Sequence, residues 1–325
     1  MSEMDNQVKA HLCAFGTAVA WGSAYPVTKL AIEGFSTNAL GFLRCFISMV
    51  VLMSIVLAKG MGGPKKKDIP AFIAGGAFGF AFYLIPFNLG LTRLTAGTSS
   101  VIVATSPVFT AIFALLFFKE KIRPQAWLAM ALSFGGIVIL TCWNGALSIN
   151  TGIFYTLTAA VNLALYNVIQ RWFGKDYQPI RSVAYCYVVA AVLMSFALPQ
   201  AWSELKAASP LQTGACLWLG LISGGAGYIL WSTALSVAKT TSQVTNYMFV
   251  TPVFATLIGF VLTREVPDLP TVLGGVTIIT GLVLFNRLNK KPAGEEKTGE
   301  DLCADSGQPG APEALKGEGL KGEGN

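Results

Sequence analysis

Ten apolar stretches of nearly bilayer length succeed one another along this chain, at residues 12–32, 37–57, 70–92, 98–118, 124–142, 152–172, 182–201, 212–235, 242–263 and 271–288. The hydrocarbon core of a bilayer is about 30 Å thick and takes roughly 20 residues of helix to cross. Water is absent from that core, so a spanning backbone must pair its own polar groups, and single stretches of this length do so as helices. Charge is correspondingly sparse: 12% of the 325 residues are charged, 53% are hydrophobic, and the mean hydropathy is +0.58. A soluble domain carries about 25% charged residues. The expected fold class is an all-α membrane protein with ten transmembrane helices, whose surrounding partner is the lipid bilayer.

The ends and the loops bear on topology. The opening "MSEMDNQVK" places Glu3 and Asp5 where a cleaved signal carries a basic region, so the first helix is expected to be retained. With a cytoplasmic N-terminus, fifteen Lys and Arg fall in inner segments, and only Arg93, Lys206 and Arg264 fall in outer ones. That bias predicts a multi-pass protein of the plasma (inner) membrane with both termini cytoplasmic. The run "GGPKKKD" then reads as an anchor near anionic lipid; nothing aromatic is interleaved with it to stack on bases, so no nucleic-acid partner is expected. The tail at 291–325 turns to Glu, Gly, Lys and Pro, which cannot bury enough apolar surface to fold, and is expected to be a disordered cytoplasmic segment.

The chain also repeats itself. "TSPVFTAIFALLFFKE" (105–120) returns as "VTPVFATLIGFVLTRE" (250–265). A shift of 145 residues lays Tyr83 on Tyr228, Pro107-Val108-Phe109 on Pro252-Val253-Phe254, Glu120 on Glu265, and Gly136 on Gly281. Earlier in each half a shift of 141 lays Thr17-Ala18 on Thr158-Ala159 and Tyr25 on Tyr166. Each half holds five spans, an odd number, so the second copy is expected upside down relative to the first. Two inverted five-helix repeats, at 8–145 and 150–290, are a construction shared by many secondary transporters, with the substrate held near the midplane between them.

These features resemble the drug/metabolite transporter superfamily, and within it the EamA-like family of ten spans in two five-helix domains. The carrying residues are "WGSAYPVTK" (21–29), Arg44, and the two Pro-Val-Phe copies followed by Glu120 or Glu265. Each copy leads into a glycine-bearing final helix, "LSFGGIVIL" or "VTIITGLVLF". The resemblance covers residues 8 to 290 and implies export of small metabolites, often amino acids or related compounds.

Ionisable side chains inside the membrane cost at least a few kcal/mol each, and only Lys29 and Arg44 qualify. Lys29 lies close enough to its helix end to snorkel to the headgroups or to line a cavity. Arg44 starts about 10 Å deep at 1.5 Å per residue. It either faces a cavity or is satisfied by helix-end carbonyls or Glu33. The nine acidic residues ahead of the tail all sit in loops or at span ends. A basic cavity without a midplane carboxylate suits a substrate bearing a carboxylate or phosphate.

Further candidates for substrate contact are Trp21, Tyr25, Asn88, Asn162, Tyr166, Tyr185, Tyr228, Trp231, Asn246 and Tyr247, all within spans. The amides carry the most weight, because a lipid-facing amide would be left unsatisfied; for the aromatics, packing and interface-belt roles stand beside substrate contact. Pro107 and Pro252 fall about midway through spans and free the carbonyls of Val103 and Met248. They are expected as kinks, either static or flexing at the cavity. Glu120 and Glu265 are expected at opposite membrane faces, as gates, helix-end caps or anchors.

The leading reading is a secondary-active or facilitative exporter of amino acids or similar carboxylate-bearing metabolites, working by alternating access. Its alternatives are an exchanger or importer of phosphorylated or nucleotide-like metabolites, and a broad drug exporter. An enzyme is disfavoured. The single histidine is His11 at a membrane edge, and neither His-Glu-x-x-His nor Gly-x-Ser-x-Gly occurs. A Walker loop for ATP is missing too. The six cysteines form no Cys-x-x-Cys pair and read as small packing residues. No cofactor or metal is called for, and monomer or dimer is left open.

Overall fold

A computed structural model of the chain describes residues 3–119, 122–143, 150–173, 177–237 and 246–288; the tail expected at 291–325 lies outside them. Every regular element among the described residues is helical. In chain order they are α1 (Glu3–Ala31), α2 (Thr37–Ala58), α3 (Ile69–Gly76), α4 (Phe82–Leu91), α5 (Ala96–Val103), α6 (Ser106–Phe118) and α7 (Pro124–Cys142). There follow α8 (Thr151–Ile169), α9 (Pro179–Leu193), α10 (Leu198–Ala207), α11 (Pro210–Trp218), α12 (Gly227–Val237), α13 (Thr251–Thr263) and α14 (Leu269–Leu288). Among the described residues, five helical runs are long and apolar enough to cross a membrane: Thr37–Ala58, Lys66–Leu91, Ala96–Phe118, Thr151–Ile169 and Pro210–Val237. The pair Pro179–Leu193 and Ser195–Ala207, bent by 51°, makes a sixth if it counts as one, and Pro124–Leu140, Tyr247–Thr263 and Leu269–Phe285 are shorter apolar helices.

Two expected spans are not continuous. The stretch 182–201 breaks after Leu193, where a 3₁₀ turn at Ser195–Ala197 precedes α10. Pro199 explains the break: it has no N–H to give Ser195, and its ring clashes with that carbonyl. The stretch 98–118 breaks at Ala104–Thr105, leaving Pro107 in the first turn of α6. Pro252 likewise opens α13, after a 3₁₀ turn at Asn246–Val250. Both prolines thus stand where a new helical segment starts, rather than bending one continuous rod.

Helix ends gather into two groups. At one, Glu204 accepts from the Ser36 backbone at 2.8 Å, and the Arg93 guanidinium donates to Thr151 at 2.6 Å. At the other, Tyr177 donates to Asp68 at 2.7 Å, and its oxygen accepts from the Lys65 backbone at 2.8 Å. Between the two groups α1 packs against α12, and α4 against α8. The Thr17 hydroxyl reaches the Gly227 carbonyl at 3.4 Å while Trp21 Nε1 donates to Ser223 at 3.0 Å, so α1 and α12 run antiparallel.

Three backbone features recur at the 145-residue spacing. π-helical turns occupy Ala77–Ala81 and Leu219–Ala226, each beside paired glycines. Lys119 and Arg264 both take the left-handed conformation, at φ 55° and 53°, ending α6 and α13. The third is the crossing of α7 and α14. A Cβ on Gly136 would meet the Gly274 carbonyl oxygen at 2.6 Å, and one on Gly281 would meet the Ala129 carbonyl oxygen at 2.8 Å. As numbers rise along α7 they fall along α14, so these helices are antiparallel and use glycines to bring their backbones together.

The two neighbouring glycines of α7 give a test. A Cβ on Gly135 would meet nothing within 4 Å. Gly136→Ala is expected to destabilise the protein by about 1–3 kcal/mol through overpacking, whereas Gly135→Ala leaves stability equal or slightly higher. Thermal unfolding of both variants in detergent checks the contrast.

Candidate functional site

Arg44 sits on α2 one turn beyond Gly41, and its side chain is only 8% exposed. The guanidinium carbon lies 5.7 Å from the centroid of the Phe87 ring. Tyr25, Tyr83, Tyr187 and Tyr228 belong to or pack against the same buried cluster as Phe87. Arginine stays charged under all ordinary conditions, and its five N–H groups need acceptors when water is removed. Nε and Nη1 of Arg44 have no hydrogen-bond partner. Glu33, the carboxylate that could have answered it, is exposed at the end of α1. The Phe87 face offers partial compensation.

The rings form two groups within one buried cluster. Tyr25 packs edge-on to Phe87 at 5.1 Å, and Tyr83 stacks on Phe87 at 5.3 Å. Phe80 touches Tyr166, Tyr187 and Tyr228 at 5.3, 4.0 and 5.9 Å. Tyr228 continues to Trp21 at 5.1 Å, and Trp21 to Trp231 at 5.5 Å. The π-helical turn explains how Phe80 and Tyr166 meet: Gly79 has no Cβ, and one placed there would strike the Tyr166 ring at 2.5 Å. π-turns inside helices concentrate at functional sites.

Asn88, fully buried on α4, donates Nδ2 to the Thr37 carbonyl at 2.9 Å, and its Oδ1 has no partner. Turning the amide over would set Oδ1 against that carbonyl, so the Thr37 bond fixes which atom is left free. The Tyr166 hydroxyl is also buried without a partner. Unpaired donors at Arg44 and an unpaired acceptor at Asn88, one residue from Phe87, thus stand in the same buried region.

The structure brings Arg44, Tyr25, Trp21, Asn88, Tyr166 and Tyr228 of the sequence candidates into this neighbourhood. It places others elsewhere. Asn162 Nδ2 donates to Thr158 one turn back on its own helix, and Tyr185 lies 6.0 Å from Phe72, in a separate aromatic group with Phe173 and Tyr177. Glu120 and the side chain of Asn246 lie outside the described residues. Pro107 is exposed and Pro252 buried, both in helical first turns. Lys29 forms an ion pair with Glu265 and donates to the Leu94 carbonyl at 2.9 Å. Sequence reasoning missed Phe80, Tyr83, Phe87 and Tyr187. Tyr83 was within reach, because the 145-residue shift lays it on Tyr228.

An unpaired buried charge costs stability, and an apolar side chain of similar length relieves that cost by about 1–4 kcal/mol. Arg44→Met is therefore expected to raise the unfolding midpoint in detergent. A fall of that size would show that protein groups already hold the guanidinium.

A model described as "EamA-like transporter family" matches twice, at residues 8–142 and 150–287. The chain is 31% identical over 83% of its length, and 90% of the relative's, to the "Uncharacterized transporter YdfC" of Bacillus subtilis (strain 168). It is 27% identical, over 83% of the chain and 91% of the relative, to the "Probable terminal-alkyne amino-acid exporter" of Streptantibioticus cattleyicolor. To the "S-adenosylmethionine uptake transporter" of Rickettsia bellii it is 28% identical, over 78% of the chain and 84% of the relative. One solved crystal structure superposes with a TM-score of 0.58 at 18% identity, covering 88% of this chain and all of that one, a likeness in fold alone.

Proposed function

Because the chain belongs to the EamA-like transporter family, and so is a multi-pass membrane transporter of small molecules, we propose that it is a secondary-active or facilitative transporter that exports amino acids or similar carboxylate-bearing metabolites by alternating access. One observation carries the substrate class: the buried Arg44 guanidinium with two unpaired donors beside the Phe87 ring. A carboxylate supplies two acceptor oxygens matched to the guanidinium fork, and charge-assisted bonds of this kind are roughly twice as strong as neutral ones. Asn88 Oδ1 would accept from an ammonium group, and the rings would cover an apolar body. Lys29, a candidate from the sequence, is engaged with Glu265 and is not needed for this recognition.

The proposed architecture is two inverted five-helix repeats, at 8–145 and 150–290, meeting around Arg44. Support comes from the antiparallel α7–α14 crossing and from the matched π-turns and left-handed residues 145 positions apart. Placement in the plasma (inner) membrane with both termini cytoplasmic rests on the bias of Lys and Arg toward the segments near Gly63–Asp68 and Gln178–Arg181. A second reading is uptake or exchange of nucleotide-like metabolites. The aromatic rings would stack a base, and the Rickettsia bellii relative is named for S-adenosylmethionine.

Counterflow separates these readings without assuming an energy source. Proteoliposomes preloaded with unlabelled solute take up labelled amino acids, organic acids, S-adenosylmethionine or cationic dyes. Amino or organic acids are expected to exchange, with Arg44→Ala slowing them at least tenfold, the weight of one charge-assisted pair. Exchange confined to cationic dyes, or normal exchange by the folded Arg44→Ala variant, would contradict the proposal. Exchange confined to S-adenosylmethionine would favour the second reading.

A further inference from the structure

We propose that Lys29 and Glu265 form a latch that closes the route from the Arg44 site to one membrane face, and that this latch must release for solute to pass there. The proposal rests on the transporter reading above and deepens it.

Lys29 follows Tyr25 by four residues on α1, one turn or about 6 Å along the helix. Tyr25 packs on Phe87, the ring over which Arg44 lies. The pair thus lies one turn from Tyr25 toward the helix ends that also carry Arg93 and Thr151. Three separate segments meet in it. The Lys29 ammonium pairs with Glu265 Oε1 and donates to the Leu94 carbonyl at 2.9 Å, while Glu265 Oε2 accepts from the Ala96 backbone at 2.8 Å. Two side chains therefore tie α1, the α4–α5 junction and the residue after α13 together.

Local backbone is arranged to deliver the carboxylate. Arg264, at φ 53°, ends α13 in the left-handed conformation, so the chain reverses and the next residue, Glu265, returns toward the start of α5. Helix α13 packs close to this point: a Cβ on Gly259 would make ordinary contact with the Ala96 Cβ at 3.4 Å and with Glu265 Oε2 at 3.7 Å. The neighbouring charges are committed elsewhere. Asp268 accepts from the Thr271 backbone at 3.0 Å, and Arg93 donates to Thr151; Arg264 is exposed.

The strength of the latch suits a switch. The Lys29 and Glu265 side chains are 24% and 16% exposed, at the rim rather than in the apolar interior. Both ions are well hydrated once separated, so the open arrangement is not prohibitive, unlike separation of a fully buried pair. All three links share the same two side chains and release together. At the other end of α1, His11 Nδ1 lies 3.1 Å from the Tyr247 hydroxyl.

The test reads accessibility without any substrate. Tyr25→Cys is introduced into a cysteine-free chain, with Cys45 restored alone as a second probe, and a membrane-impermeant maleimide is applied to one vesicle face or the other. Lys29→Ala and Glu265→Gln are expected to speed labelling about tenfold from one face only, a shift of one decade in the open population. Lys29→Arg is expected to label as the parent does. No change in rate, or an equal rise from both faces, would overturn the latch, the second outcome marking a general loosening of the fold. Labelling is indifferent to the solute carried, so failure of the carboxylate reading in counterflow and failure of the latch are told apart.

Discussion

Arg44 sets the terms on which the rest of this bundle is built. A guanidinium cannot escape burial by losing its proton, so its cost must be met by the groups around it. Here the face of Phe87 lies beneath the charge. Cation–π contacts offset part of the loss of water but leave hydrogen-bond donors unanswered. The aromatic cluster itself requires backbone concessions: a glycine under Tyr166, a π-turn at Ala77–Ala81, and another at Leu219–Ala226 across from it.

Arg44 was legible from the sequence because its reasoning is local. A charge well inside an apolar span is expensive wherever the neighbours come from. The same logic found Asn88, and simple length found most of the helices. The repeat was equally legible, since similar residues at a fixed spacing need no knowledge of contacts. What stayed hidden depends on partners far away in the chain. Lys29 could be read as a snorkelling side chain or a cavity residue; its partner Glu265 lies 236 positions later and is aimed by an unusual φ at Arg264. Tyr185 and Tyr187 differ by two residues and are chemically alike, yet only Tyr187 joins the rings around Phe80, because helical spacing turns them to different sides. The break after Leu193 was written in Pro199 but was masked by the apolar length of the stretch.

Helix α1 carries much of the organisation. It lies against α12 through Thr17 and Trp21, and against α13 at Gly22, where a Cβ would meet Phe254 Cβ at 2.6 Å. Farther along it contributes Tyr25 to the aromatic cluster and Lys29 to the ion pair. A helix that contacts the site along one face and distant segments at its ends transmits displacement from one to the other. The glycines and small residues along it permit sliding contact, whereas the ion pair fixes one discrete arrangement, which is the kind of element that switching requires.

The most direct measurement is calorimetric binding of a matched pair of solutes to the purified protein: an apolar amino acid and its amide, alike except that a carboxamide replaces the carboxylate. The account predicts that the acid binds at least about tenfold more tightly than the amide, the difference a charged hydrogen-bond partner makes over a neutral one. It also predicts that Arg44→Met removes the preference. Equal affinity for acid and amide in the unaltered protein would contradict it, and would mean that the buried guanidinium does not select the charge of the solute.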